Sequence, residues 1–377
     1  MKVVICGAGI AGLALAVRLT ANGDDVVVVE RAPSPRTQGY MIDFFGPGYE
    51  AAERMGLLPR LHELGYRVPR ASYVDEDGRV RASLGFRRFA RAINGGLVSI
   101  MRPDLELALR EALRADLRFG TTVARVDNRA DGVEVHLSDG TAVTADLLVG
   151  ADGIHSPVRE MIFGEEREFL RYLGFHTAAF TFEDAEVRAA VSGGFCLTDT
   201  IDRQMGLYAL REGRVAAFTV HRTADPARPE NPTATLREVY GSMGWLVPRA
   251  LAKAPEDIYY DQVAQIEIPR WSSGRVVLIG DACHAVSLLA GQGASLGLAG
   301  AALLADELRQ RPIAEALAAY ERRWRPVVEE KQRVARSGTR WFLPDSRARL
   351  RARRVALKLA RLPIVDRALA TALVGKL

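Results

Sequence analysis

At 377 residues the chain exceeds one small domain and suits two packed units with sizeable cores. Nearly half of its residues are hydrophobic and a quarter charged, the ordinary balance of a soluble globular protein, and no stretch approaches the roughly twenty apolar residues that span a bilayer. The net charge of +5 is local: from Arg333 to Leu377 twelve Lys/Arg face two acids, so the remainder sits near −5 and the basicity says little about a binding site.

The first elements are a buried strand, Val3-Val4-Ile5, a turn from Cys6 to Gly12, a helix, and a second buried strand, Val26-Val27-Val28-Val29, closed by Glu30. In the Gly-x-Gly-x-x-Gly spacing each glycine serves differently. Gly7 permits the tight turn, Gly9 admits a diphosphate to the backbone, and Gly12 lets the helix pack on the strand. The helix N-terminus presents free N–H groups to an anion, and Glu30 can accept hydrogen bonds from a ribose. Lys2 and the apolar run to Val17 imitate a secretory signal, but the glycines interrupt that run, and cleavage would delete the first strand. Cys6, Cys196 and Cys283 are odd in number, far apart and without metal-ligand spacing; they read as reduced thiols of a cytoplasmic protein, with no metal site.

Further along, two alternating runs between Arg70 and Leu84 flank Asp75-Glu76-Asp77-Gly78, a hairpin signal. Pro103 opens a helix over Asp104 to Leu113, with Arg102 just before it. Val133 to Leu137 alternates into the turn Ser138-Asp139-Gly140-Thr141, and a buried strand from Asp146 to Gly150 runs into Ala151-Asp152-Gly153. From about Phe169 to Val263 the alternation predicts an antiparallel sheet, interrupted by Pro226, Pro229 and Pro232 before a helix. Val276 to Ile279 returns to the buried-strand style and ends in Gly280-Asp281; a helix follows from Ser295 to Arg309.

Three glycine–acid sites thus stand at the C-terminal ends of buried strands, the edge where open α/β sheets bind ligands. The fingerprint, then Ala151-Asp152-Gly153-Ile154-His155-Ser156-Pro157-Val158-Arg159, then Gly280-Asp281-Ala282-Cys283-His284, in that order over about residues 1–310, resembles the FAD-dependent monooxygenases of the aromatic-hydroxylase type, of which p-hydroxybenzoate hydroxylase is representative. The resemblance implies an α/β fold: a Rossmann-like FAD-binding domain, discontinuous over 1–69, 96–168 and 265–312, an inserted antiparallel-sheet substrate domain over 70–95 and 169–264, and a C-terminal helical segment over 313–377.

Carried over residue by residue, Gly7, Gly9, Ala11, Gly12 and Glu30 resemble the ADP half of an FAD site, with Arg31 beside the adenosine. Arg102 matches an arginine that begins the helix reaching the flavin diphosphate and ribityl chain, and Asp281 the acid that holds the same region. Asp43 and Arg36 resemble positions that contact the flavin and the nicotinamide cofactor, and Asp152 belongs to a motif associated with both FAD and NAD(P)H. Gly291, Gly293, Ala294 and Ser295, in the segment from Ala290 that precedes the helix, would leave backbone N–H groups facing the anionic N1 and C2 carbonyl region of reduced flavin. The sequence departs from the commonest family pattern at Leu288, Ser295 and Gly300, where a proline, an asparagine and an acid are usual.

The implied chemistry belongs to the cofactor: NADPH or NADH reduces FAD, O₂ adds at C4a, and the resulting hydroperoxide hydroxylates an aromatic or polyketide-like small molecule. No protein side chain is required as a nucleophile or catalytic group; the chain has to bind the substrate over the flavin and exclude water. His176, Phe180, Phe195, Gln204, Tyr208 and His221, on or beside the strands of the inserted sheet, are the candidate substrate-binding residues. Two other readings fit the same motifs: an FAD-dependent oxidoreductase that inserts no oxygen, and a flavin-binding membrane-associated protein that uses its basic tail. Packing of the tail on the protein's own surface, beside the flavin domain as the resemblance implies, is expected over membrane binding, and no aromatic–basic interleaving argues for nucleic acid. A flavin halogenase is a poor fit, because the chain lacks a Trp-x-Trp-x-Ile-Pro signature and Trp245, Trp271, Trp324 and Trp341 stand apart.

Overall fold

Val3, Val4 and Ile5 are fully buried, as β-branched runs are when both faces of a parallel sheet are covered. The computed structural model, which describes residues 1–85, 96–288 and 291–359, places them centrally in a six-stranded sheet. Its order is Ser272–Ser273, Val276–Leu278, Leu147–Gly150, Lys2–Cys6, Asp25–Glu30 and Asp116–Phe119, parallel throughout except for the short first pair. The register sets Val3 beside Val26 on one side and Leu147 on the other. Helix Ile10–Ala21 packs on Gly293–Gln310 and, less extensively, on Arg102–Ala112, which carries Pro103 in its first turn. A three-stranded sheet, Val123–Asn128, Val133–Leu137 and Ala142–Ala145, adjoins this core. A two-stranded ribbon pairs Met41–Phe45 with Leu97–Met101. Expectations for 86–95, for Ala290 and for the tail from 360 onward lie outside the described residues.

The second large sheet has seven strands, ordered Tyr259–Ile266, Leu170–Glu183, Arg214–Arg222, Arg203–Ala209, Phe195–Thr198, Arg70–Val74 and Val80–Gly85. All pairs are antiparallel but one: Phe195–Thr198 runs parallel to Arg70–Val74. Alternation splits its side chains between two environments. Ala178, Phe180, Phe182, Met205, Leu207, Val215 and Ala217 face helices Ala185–Val191, Pro232–Tyr240 and Val247–Ala252. Two of those helices are capped from the sequence: Asp184 accepts from the N–H groups of Glu186 and Val187, and Asn231 from Ala234. The opposite face carries Phe195, Tyr208, Ala216 and Phe218, which pack with Met41 and Met101 of the ribbon.

Helix Ile313–Phe342 lies on Gly293–Gln310, and a last helix, Arg347–Leu359, runs along the edge strand Val80–Gly85. That helix therefore docks on the inserted sheet. The physical cause is Asp199, a fully buried carboxylate that requires cations. Arg353 donates to it at 2.8 Å and to the carbonyl of Phe342, while its guanidinium lies 4.4 Å over the Tyr73 ring; Arg354 takes the other oxygen. Among the described residues, no helix is long and apolar enough to cross a membrane.

Candidate active site

The strands Lys2–Cys6, Leu147–Gly150 and Val276–Leu278 are neighbours, so their C-terminal loops converge at one sheet edge. The glycines of the first loop act through close approach. Gly7 has φ +109°, and a Cβ there would sit 2.3 Å from the Ala151 carbonyl oxygen. A Cβ on Gly12 would sit 2.0 Å from the Gly7 carbonyl oxygen, so both residues lock the loop against its neighbours. Gly9 is different: it adopts φ −78°, ψ −178°, and its Cβ would meet nothing within 4 Å. It caps helix Ile10–Ala21 without a side chain, leaving first-turn N–H groups aimed at open space. Ala11 sits behind this turn, its Cβ 2.8 Å from where a Cβ on Gly280 would be. This uncapped turn with room before it fits the diphosphate of a dinucleotide.

Glu30 closes the loop, accepting from Ala8 N and Ala32 N at 2.9 Å each, and each oxygen retains a lone pair for a ribose hydroxyl. Arg31 and Arg36 are exposed on the segment that follows. Arg102 donates from its backbone to the Tyr40 carbonyl and from Nε to Glu106 at 3.2 Å. Burial opposes its charge, but Glu106 and Asp281 are among the neighbours that more than offset this. Asp281 has an accessible side chain, yet the protein packed around it pushes its carboxyl pKa up, with Arg102 opposing and Asp261 adding to the rise. Accessibility within a dense surround describes a cleft wall. Beside Arg102 the Tyr40 ring packs 5.7 Å from both Phe218 and Tyr259.

Asp43 accepts from the Ser99 hydroxyl at 2.7 Å, and burial pushes its carboxyl up to about 6. Asp152 accepts from Val158 N and the Ser156 hydroxyl at the start of helix Pro157–Phe163, which Ser156 caps by accepting from Arg159 N. Arg159, fully buried, ties the second loop to the third through the carbonyls of Ile154 and Ala282. The sequence motif contains Arg159 without assigning it a role; the available signal is the Asp152/Ser156/Arg159 spacing around a helix start.

Gly291, with φ +64°, Gly293 and Ala294 lead into helix Gly293–Gln310, and a Cβ on Gly293 would lie 3.7 Å from Asp281 Oδ1. Ser295 is buried and accepts from Phe45 N at 3.3 Å, binding the helix start to the ribbon. The glycine at 300 also has a local cause, because a Cβ there would lie 2.6 Å from Trp324 Nε1, so an acid would have no room.

The six substrate candidates divide between the two faces of the inserted sheet. Phe195, Gln204 and Tyr208 lie on the flavin-side face. Tyr208 accepts from Met41 N at 2.7 Å, its ring is 5.0 Å from that of Phe195, and the Gln204 Oε1 is buried without a partner. His176, Phe180 and His221 lie on the helix-covered face, which corrects their assignment. Phe180 is core, His176 meets the Tyr260 hydroxyl at 3.0 Å, and His221 the Tyr240 hydroxyl at 3.2 Å. Residues facing the cleft that the sequence did not single out are Tyr40, Phe218 and Tyr259. On the three-stranded sheet, Asp127, Glu134 and His136 converge, but Arg125 bonds both Asp127 and His136 and Arg129 pairs with Glu134, so arginines already hold the cation's place.

A glycine-rich loop at the edge of a parallel sheet, two further acid-bearing loops beside it and a second, largely antiparallel sheet are the arrangement of a flavoprotein oxidoreductase. Residues 1–335 match the model of the FAD binding domain family, and the chain belongs to that family. It is 37% identical over 329 residues to an uncharacterised protein of Mycobacterium tuberculosis, covering 81% of this chain and 84% of the relative. It is 30% identical to the FAD-dependent monooxygenase asL4 of Sarocladium schorii, over 92% and 89% of the two chains. The crystal structure of the tetracycline destructase Tet(55) superposes with a TM-score of 0.82 at 26% identity, over 98% and 97% of the chains. The protein is an FAD-dependent monooxygenase of the aromatic-hydroxylase type.

Proposed function

We propose that the protein uses NADPH or NADH and O₂ to hydroxylate an aromatic or polyketide-like small molecule held between the flavin and the inserted sheet. When bound, the flavin supplies the redox chemistry, activating O₂ so that one oxygen atom enters a carbon of the substrate. The chain's own residues bind, orient and exclude water. Gly7, Gly9, Ala11 and Gly12, with the first-turn N–H groups of Ile10–Ala21, hold the diphosphate; Glu30 takes the adenosine ribose and Arg31 lies beside the adenosine. Arg102 and Asp281 orient the diphosphate–ribityl region, and the turn Gly291–Ser295 presents N–H groups to the pyrimidine edge of the ring. Arg36, Asp43 and Asp152 lie where the flavin and the nicotinamide donor are to be met.

The observation that carries this reading is a wall of rings beside Arg102: Tyr40, whose carbonyl accepts from Arg102 N, packs on Tyr259 and Phe218 of the inserted sheet, and Phe195 and Tyr208 lie on the same face of that sheet. Such a wall suits a flat, apolar substrate with a few polar groups, for which the Tyr208 hydroxyl and Gln204 Oε1 provide contacts. The test is anaerobic reduction followed by turnover under ¹⁸O₂. NADPH or NADH should bleach the flavin, bleaching should accelerate with members of a phenol and polyketide panel, and one labelled oxygen should enter the product. Flavin that neither nicotinamide reduces, or product that carries no label at full turnover, would overturn the proposal.

A further inference from the structure

His155 stands between two carboxylates on different parts of the fold. Its Nδ1 lies 3.0 and 3.1 Å from the oxygens of Glu166, and its Nε2 lies 3.1 Å from Asp261 Oδ1. Both carboxylates also accept elsewhere, Glu166 from Arg159 at 3.0 Å and Asp261 from Gln262 N at 2.9 Å. An ionised carboxylate only accepts, and a neutral imidazole donates from one nitrogen alone. Holding both contacts therefore requires the imidazolium.

The position of this bridge gives it consequence. His155 follows the parallel-sheet strand Leu147–Gly150 and Arg159 is on the next helix, Glu166 is on the short helix that leads into strand Leu170–Glu183, and Asp261 lies on the edge strand Tyr259–Ile266 of the inserted sheet. Tyr259 on that strand packs on Tyr40 at the cleft, and Asp261 is close enough to Asp281 to push its carboxyl up. We propose that His155 is a positioning residue: as an imidazolium it pins the strand carrying Asp261 and Tyr259 to the loop after Asp152-Gly153, and it offsets the charge of Asp261 so that an anionic dinucleotide can settle beside Asp281. The inference rests on reading this cleft as the flavin site. The charged groups around the bridge are Glu166 and Arg159 from the helices, Asp261 from the strand, Asp152 from the loop, and Asp281 and Arg102 beyond Asp261.

The hydrogen bond to Asp261, aided by its charge and by Glu166, raises the His155 pKa against the opposing effect of burial. The bridge is thus intact at low pH and is lost as pH rises through that raised value, and FAD affinity should fall with it. Each pKa unit by which bound FAD raises His155 corresponds to about a tenfold change in affinity. The experiment is FAD binding by fluorescence quenching in the full chain from about pH 6 to about pH 9.5, for wild type, His155→Gln, His155→Lys and Asp261→Asn, with NMR titration of the wild-type imidazole without flavin.

Wild-type affinity should fall about tenfold across that range, His155→Gln should be weak and flat from the lowest pH, and His155→Lys should recover the low-pH affinity. Asp261→Asn should lower the imidazole pKa. A His155→Gln protein with wild-type affinity and slope, or a His155 that titrates in the ordinary histidine range, would overturn the proposal. Equal losses in the Gln and Lys variants with an unchanged slope would also overturn it, since that is the behaviour of a residue that merely packs. If wild type bound no FAD at any pH, the flavin reading of the cleft would fail, while the imidazole titration would still decide whether the bridge exists.

Discussion

The parallel sheet and the inserted sheet carry their chemistry in different ways. In the parallel sheet both faces are buried, and the proposed cofactor residues lie at strand ends, where backbone geometry sets the space: Gly7 against Ala151, Gly12 against Gly7, open space before Gly9. In the inserted sheet only one face looks toward the flavin segment, and recognition falls to side chains that alternate between that face and the helices. Neighbours in sequence therefore have opposite fates. Leu207 is core under the helices, and Tyr208 reaches the Met41 backbone across the domain contact. Backbone sites should respond to the volume of any added side chain, and sheet sites to which face the residue occupies.

The sharpest test sets two glycines of one loop against each other. Gly12→Ala would force a Cβ to 2.0 Å from a carbonyl oxygen of the same packed loop, and it should cost about 3 kcal/mol or more of apoprotein stability. Gly9→Val enters open space with backbone angles that any residue adopts, so apoprotein melting should stay within about 2 °C of wild type. FAD affinity should nevertheless fall at least about a hundredfold, because the diphosphate would lose its approach. Native FAD affinity in Gly9→Val would mean the diphosphate lies elsewhere.

That contrast also explains what the sequence could reveal. The placement of Gly7, Gly9, Gly12, Glu30, Asp152 and Asp281 at the ends of parallel strands was legible because a parallel strand, a turn and a helix start are local in the chain. The alternation of the inserted sheet was equally legible as alternation. Its facing was not, because nothing within Leu170–Glu183 or Arg214–Arg222 says which side Pro232–Tyr240 will cover. His176, Phe180 and His221 were misassigned for that reason, and Phe195, Gln204 and Tyr208 came out on the flavin side through the same alternation. Asp199, which draws the last helix onto the inserted sheet, lies more than a hundred residues before the arginines that bind it.

The helix-covered histidines supply a second test, by pH. Burial first, then the charge of His176, lowers the His221 pKa to about 4, and burial lowers that of His176 as well. The folded state therefore holds these rings neutral while the unfolded chain protonates them. The stability they contribute is complete above the ordinary histidine range and is lost as pH falls through it toward about 4, amounting to at most about 3 kcal/mol for His221. His221→Gln should flatten the acid limb of urea-denaturation midpoints between about pH 7 and about pH 4.5 and leave FAD affinity at neutral pH unchanged. An acid limb as steep as wild type, or a loss of FAD affinity, would contradict the placement of His221 behind the sheet.

The smallest effect tests the flavin-side face directly. Tyr208→Phe removes one hydroxyl, which accepts from Met41 N on the strand that also carries Asp43. The lost hydrogen bond should cost about 1 kcal/mol, with the ring still stacked beside Phe195. If the hydroxyl also meets the substrate, KM should rise several-fold and more of the O₂ consumed should end as hydrogen peroxide, while reduction without substrate stays at the wild-type rate. Phe180→Leu is the matched control, two strand pairings away on the other face: it should lower stability by about 1 kcal/mol and leave KM and peroxide yield alone. Opposite outcomes for the two variants would invert the sheet, sending the substrate to the helix side. Equal effects on KM would mean that the two faces share one pocket, which the alternation of a packed sheet does not allow.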